Sequence, residues 1–137
     1  MRFIYEITTP PLVNLEIIEI YEYYDFPCLF SCQNASGQIF LAIWIDETPD
    51  HKTWLYSPMS KGRLKSIRSG NIDLYDAFRK SEDGFIYQAI IPENDNWDVV
   101  EIIFCENLSD ECLPVSGETI DFSDAAFPLE NKEKIKI

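Results

Sequence analysis

Apolar and polar positions along this chain fall into short extended runs separated by turn residues. Pro27–Gln33 and Ile39–Ile45 are rich in β-branched and aromatic residues and flank the turn Asn34-Ala-Ser-Gly37. Two such runs around a short glycine-containing link predict a β-hairpin. Ile39 to Ile45 is apolar without a break, so both faces of that strand are expected to be covered. Leu15–Tyr24 mixes Ile and Tyr with glutamates every third residue; its β-branched and aromatic content favours a strand over a helix. Asp25-Phe26-Pro27 is a turn before the hairpin, and Glu47–Asp50 a loop. Thr53–Ser57 reads as a short strand stopped by Pro58, Phe85–Ile91 as one ended by Pro92, and Trp97–Cys105 as its partner.

Two short helices are predicted between the fourth and fifth strands. The first starts at Ser60 as N-cap, buries Leu64 and Ile67 and ends at Gly70. The second starts at Asp73, with Asp76 in its first turn and Phe78 on its buried side. Sequential strands on short links imply an antiparallel sheet. The expected fold is therefore α+β: a mainly antiparallel sheet of about six strands, with the helices covering one face. The 137 residues form one domain with its core at about 15–105, a leading segment containing Pro10-Pro11, and an acidic C-terminal extension over 106–137. Ile120, Phe122, Phe127 and Leu129 would anchor that extension, and residues 131–137 are expected to fray.

Charge divides the chain more sharply than hydropathy does. The net charge is −13, but residues 51–80 carry +5 while residues 81–131 carry −13 and no basic side chain. Internal neutralisation of the basic segment by its acidic neighbours explains this layout, and so does a positively charged recognition surface. A field that is negative overall disfavours direct nucleic-acid binding, which depends on clustered cations, and favours basic partners. The longest apolar run, Ile39–Ile45, is far short of the roughly twenty residues of a membrane helix. With no leader visible, a cytoplasmic location is the default expectation.

Chemistry is sparse. The spacings of Cys28, Cys32, Cys105 and Cys112 do not match a zinc knuckle. At ~3.3 Å per strand residue, Cys28 and Cys32 stand too far apart to chelate one ion. Reduced thiols are expected, with no metal and no cofactor. His51 is the one histidine and follows Asp46, Glu47 and Asp50, a setting that could supply a general base. No Gly-rich phosphate loop or nucleophile elbow is present. Ser60-Lys61-Gly62-Arg63 places two cations where they oppose a helix dipole, so Ser60, Lys61 and Arg63 form a candidate anion site. Tyr23 and Tyr24 cannot share a strand face, so one of them is expected at the surface.

Four strings carry a resemblance. They are Tyr21–Phe30, Gly37–Glu47, Trp54–Ser60 (Trp-Leu-Tyr-Ser-Pro-Met-Ser) and Arg68–Phe78. Over about Leu15 to Ile91 the chain resembles an uncharacterised bacterial family carrying only a domain-of-unknown-function label. The resemblance implies a compact domain and no catalytic residue, cofactor or substrate.

The expectation is a small accessory protein, not an enzyme, that binds another macromolecule through an aromatic-rich sheet and segregated charge. Tyr23, Tyr24, Lys61, Arg63, Lys65 and Arg68 are the candidate partner-binding residues. An exposed edge strand would also suit a homodimer. One alternative is an acidic mimic of nucleic acid that blocks a basic protein. Another is a small enzyme using Asp46–His51 or Ser60–Arg63.

Overall fold

The computed structural model describes residues 7–92 and 98–121. Its centre is one six-stranded antiparallel sheet in which every strand pairs with its neighbours in sequence. The strands are β1 (Glu16–Tyr23), β2 (Pro27–Gln33), β3 (Ile39–Glu47), β4 (His51–Met59), β5 (Phe85–Pro92) and β6 (Val99–Phe104). Helices α1 (Lys61–Arg68) and α2 (Leu74–Arg79) lie between β4 and β5. The fold is the expected α+β class with a six-stranded antiparallel sheet, and the strand order makes that sheet a meander. Phe122, Phe127, Leu129, Trp97 and residues 131–137 lie outside the described residues.

The predicted hairpin is β2–β3, in register from Leu29 opposite Ile43 to Gln33 opposite Ile39. Its turn is tied by the Asn34 side chain, whose Oδ1 accepts from the amides of Ser36 and Gln38 and from the Ser36 hydroxyl. Gly37 takes φ +90°, a conformation that costs a residue with a Cβ considerably more. Bulges in β1, and in β3 between Trp44 and Asp46, break the register and add local bend and twist.

Both helix starts are built as read. Ser60 Oγ accepts from the Arg63 amide and Asp73 Oδ1 from the Asp76 amide. Leu64 and Ile67 of α1 and Leu74, Ala77 and Phe78 of α2 are buried. With Leu41, Leu55 and Ile86 they form the core on one face of the sheet, which Leu108 and Ile120 complete from the C-terminal side.

Pro58 does not stop β4. It pairs with Phe40 of β3 inside a strand that runs on to Met59. The reason is that β5 pairs with β4 only as far as Tyr56. Beyond that residue one edge of β4 has no neighbouring strand among the described residues, and a proline without an N–H fits such an edge.

The opposite face is covered by the leading segment, through Ile7, Leu12 and Leu15. Asp98 holds that segment, accepting from the Thr8 amide and hydroxyl at 3.0 Å each and from the Thr9 hydroxyl. Beneath it an edge-to-face series of rings crosses the sheet: Phe26, Trp54, Phe30, Tyr56, Phe40, Tyr87. Each such pair adds about 0.5–1.5 kcal/mol beyond area burial. The aromatic-rich sheet is therefore interior, with Phe30, Phe40, Trp54 and Tyr56 all fully buried.

Candidate functional site

An antiparallel meander brings alternate strand ends together. The β1–β2 turn, the β3–β4 turn and the end of β5 all lie at one end of the sheet. That end collects Glu22 from the end of β1, Asp25 from the first turn, Asp46 and Glu47 from the end of β3 and Asp50 from the second turn. Lys52 answers part of this charge, pairing with Glu47 at 3.6 Å and lying 5.2 Å from the centre of the Phe26 ring. Asp25, with φ +63°, turns the chain directly after Tyr24. Tyr24 is 74% exposed and Tyr23 44% exposed. Both tyrosines thus stand at the surface, one more than strand alternation required.

Beside this turn lies an open groove of about 390 Å³. Ile43, Ile45, Leu74 and Leu113 give it an apolar lining, and the exposed carboxylates of Glu22, Glu111 and Glu118 border it, with Tyr24 at the same border. The segment that supplies Glu111 to Glu118 is fastened to α2. Asp73 Oδ2 accepts from the Gly117 amide at 2.6 Å, and the Leu74 amide donates to the Glu118 carbonyl at 2.8 Å. The N-cap of α2 therefore also holds the groove's far wall. The sequence reading missed this wall. Its signal was Leu113-Pro114, an apolar pair upstream of the anchors read at Ile120 and beyond.

The basic segment is largely engaged within the fold. Arg68 donates to both carboxylate oxygens of Glu19, at 2.8 and 3.2 Å, and this raises the guanidinium's pKa further. Arg63 donates to the carbonyls of Asp76 and Lys80 at the end of α2. Arg79 donates to the Cys105 carbonyl and lies 3.5 Å from Asp110. Lys61 and Lys65 are exposed. At the candidate anion site of Ser60, Lys61 and Arg63, the chain places a carboxylate of its own on Ser60: Glu82 accepts from the Ser60 amide at 2.7 Å and from its hydroxyl at 3.1 Å.

Among the described residues of the acidic stretch, five carboxylates serve separate tasks. Glu82 serves α1, Asp98 holds Thr8 and Thr9, Asp110 meets Arg79 and Tyr75, and Glu111 and Glu118 border the groove. The Tyr75 hydroxyl donates to Asp110, which raises its pKa.

His51 Nδ1 lies 3.2 Å from Thr48 Oγ1, which also accepts from the amides of Asp50 and His51. The ring is part of the hydrogen bonding of the β3–β4 turn. Cys28, Cys32 and Cys105 are buried and Cys112 is exposed, all as free thiols. Burial pushes the thiols of Cys28 and Cys32 up. Among the described residues no group of three His, Cys, Asp or Glu side chains could hold a metal ion, and no helix is long and apolar enough to cross a membrane.

The profile of a family of unknown function (DUF6575) matches residues 3–134, a longer span than the four resembling strings cover. No curated protein and no solved structure matches this chain.

Proposed function

Since the chain belongs to the family of unknown function DUF6575, its own surface is the guide, and we propose that it is a non-catalytic interaction protein whose acidic sheet end engages a protein partner. The observation that carries this reading is Tyr24: a large aromatic side chain, 74% exposed, at a turn flanked by Glu22 and Asp25. Tyrosine is enriched at protein interfaces because it offers contact area and a hydroxyl while fixing only two side-chain torsions. The surrounding carboxylates select a basic partner and speed its approach, more strongly at low ionic strength. Arg68 and Arg79 are paired with Glu19 and Asp110, and Arg63 is bonded to the carbonyls of α2, which leaves the acidic end as the better-supported contact surface.

The test is the native size of the protein in extract of cells that produce it, followed by cross-linking and identification of what migrates with it. The expected result is a complex heavier than the 15.9 kDa chain that dissociates as salt is raised. A species of monomer size at every salt concentration, with nothing cross-linked to it, would remove the reading.

A further inference from the structure

The groove beside Tyr24 has a composition that specifies its occupant more narrowly than the charge of the sheet end does. About 390 Å³ lies at the small end of the roughly 300–1,000 Å³ typical of ligand sites. That is room for one or two side chains and too little for a large cofactor. The lining is aliphatic at Ile43, Ile45, Leu74 and Leu113, of which Leu74 is 1% exposed and the other three are half-buried. Glu111 and Glu118 border it from the far wall, both exposed. An apolar lining with an acidic border complements an aliphatic side chain followed by a cation, or the methylene stem and charged head of a lysine or arginine.

From this we infer that the groove receives a short basic, aliphatic segment of a protein partner, with a leucine-like side chain on Ile43, Ile45 and Leu113 and a neighbouring lysine or arginine against Glu111 and Glu118. The inference rests on the interaction reading above and gives it a site and a partner chemistry. A free polyamine would satisfy the carboxylates and leave the aliphatic lining without a complement. An acidic peptide would meet like charge. The groove is also continuous with the Glu22–Asp25 turn, so a segment longer than its volume can run onward over Tyr24 and the acidic end.

Cys112 lines the groove and is exposed, while the other three cysteines are buried. Its reactivity with a thiol reagent therefore reports occupancy at this site and not elsewhere. The experiment titrates the full chain at low salt with acetylated Lys-Leu-Lys-Leu-Lys. Lys-Ser-Lys-Ser-Lys, Glu-Leu-Glu-Leu-Glu and spermidine serve as comparisons. Binding is read by fluorescence anisotropy and the modification rate of Cys112 is measured in parallel. The Lys-Leu peptide is expected to bind and to slow Cys112 modification. The Glu111→Gln, Glu118→Gln double variant should bind it about fivefold more weakly, the loss expected for two exposed ion pairs. Both substitutions are at exposed positions, so the fold is retained, and thermal unfolding of the variant checks this.

Equal binding of the Lys-Ser peptide or spermidine would overturn the aliphatic half of the inference. Binding of the Lys-Leu peptide with unchanged Cys112 reactivity and no effect of the double variant would place the contact elsewhere and overturn the groove. Failure of every peptide to bind would also overturn it. None of these results touches the interaction reading, which is decided by the native complex in extract.

Discussion

Glu82 closes the start of α1 by accepting from both the amide and the hydroxyl of Ser60, at 2.7 and 3.1 Å. The N-cap residue of a helix start that carries two cations thus already holds a carboxylate, from a side chain 22 residues further along the chain. Replacing Ser60 with alanine removes the cap to Arg63 and is expected to cost about 1 kcal/mol. Glu82→Gln should cost less, because the group is exposed, and a double-mutant cycle by urea unfolding should return a positive coupling between the two. Inorganic phosphate should raise the melting temperature no more than chloride of equal ionic strength. Additivity of the two substitutions, or specific stabilisation by phosphate, would contradict the internal arrangement.

Tyr56 is fully buried, and among the described residues its hydroxyl has no hydrogen-bond partner. A buried hydroxyl without a partner costs about 1–3 kcal/mol. Tyr56→Phe keeps the ring contacts with Phe30 and Phe40 and is therefore expected to leave stability unchanged or raise it by about 1 kcal/mol. Tyr21→Phe should do the opposite, since the Tyr21 hydroxyl is buried and lies 3.0 Å from Ser31 Oγ. Chemical denaturation of the two variants beside the parent chain checks the contrast.

Burial raises the pKa of both phenols well above the ordinary value, for Tyr21 and for Tyr56 alike. In the unfolded chain a tyrosine titrates near about 10. Below that pH both states are protonated and the phenols' contribution to stability is fully present. Above it the unfolded state loses protons that the folded state keeps, so stability falls as pH rises toward the folded values. Stability measured from about pH 9 to 12 should therefore decline, and Tyr56→Phe should make the decline shallower. A slope unchanged by that substitution would show that Tyr56 is not held protonated by the fold.

Leu12 is fully buried against the aromatic face, within the segment that Asp98 holds through Thr8 and Thr9. Leu12→Ala should cost about 2–5 kcal/mol, the range for a buried leucine. A cost below about 1 kcal/mol, as at a surface position, would mean that this segment does not cover the sheet.

Local chemistry explains which elements were readable from the sequence. The β2–β3 hairpin carries its own turn in Asn34 and Gly37. The two helices carry their own caps in Ser60 and Asp73. Each signal acts within a few residues. What could not be read depends on contacts distant in sequence. Pro58 falls where β5 has stopped pairing with β4, past Tyr56. The leading segment packs on the core through Ile7, Leu12 and Leu15 and is held by Asp98, 90 residues away from Thr8. The groove forms because Gly117 reaches back to Asp73. Of the candidate partner residues, Tyr23 and Tyr24 stand at the surface by local geometry, whereas Arg63 and Arg68 face α2 and Glu19. A run of like charge in sequence did not distinguish a solvated cation from one engaged in the fold.

The most direct measurement places a photo-crosslinking phenylalanine analogue at Tyr24 in one variant and at Lys65 of the helix face in another, both expressed in cells that carry the natural protein. The account predicts that irradiation attaches a specific protein to the Tyr24 variant, that the same band weakens when Glu111 and Glu118 are also changed to glutamine, and that the Lys65 variant lacks it. A specific adduct from Lys65 with none from Tyr24 would contradict the claim that this protein works through the acidic end of its sheet.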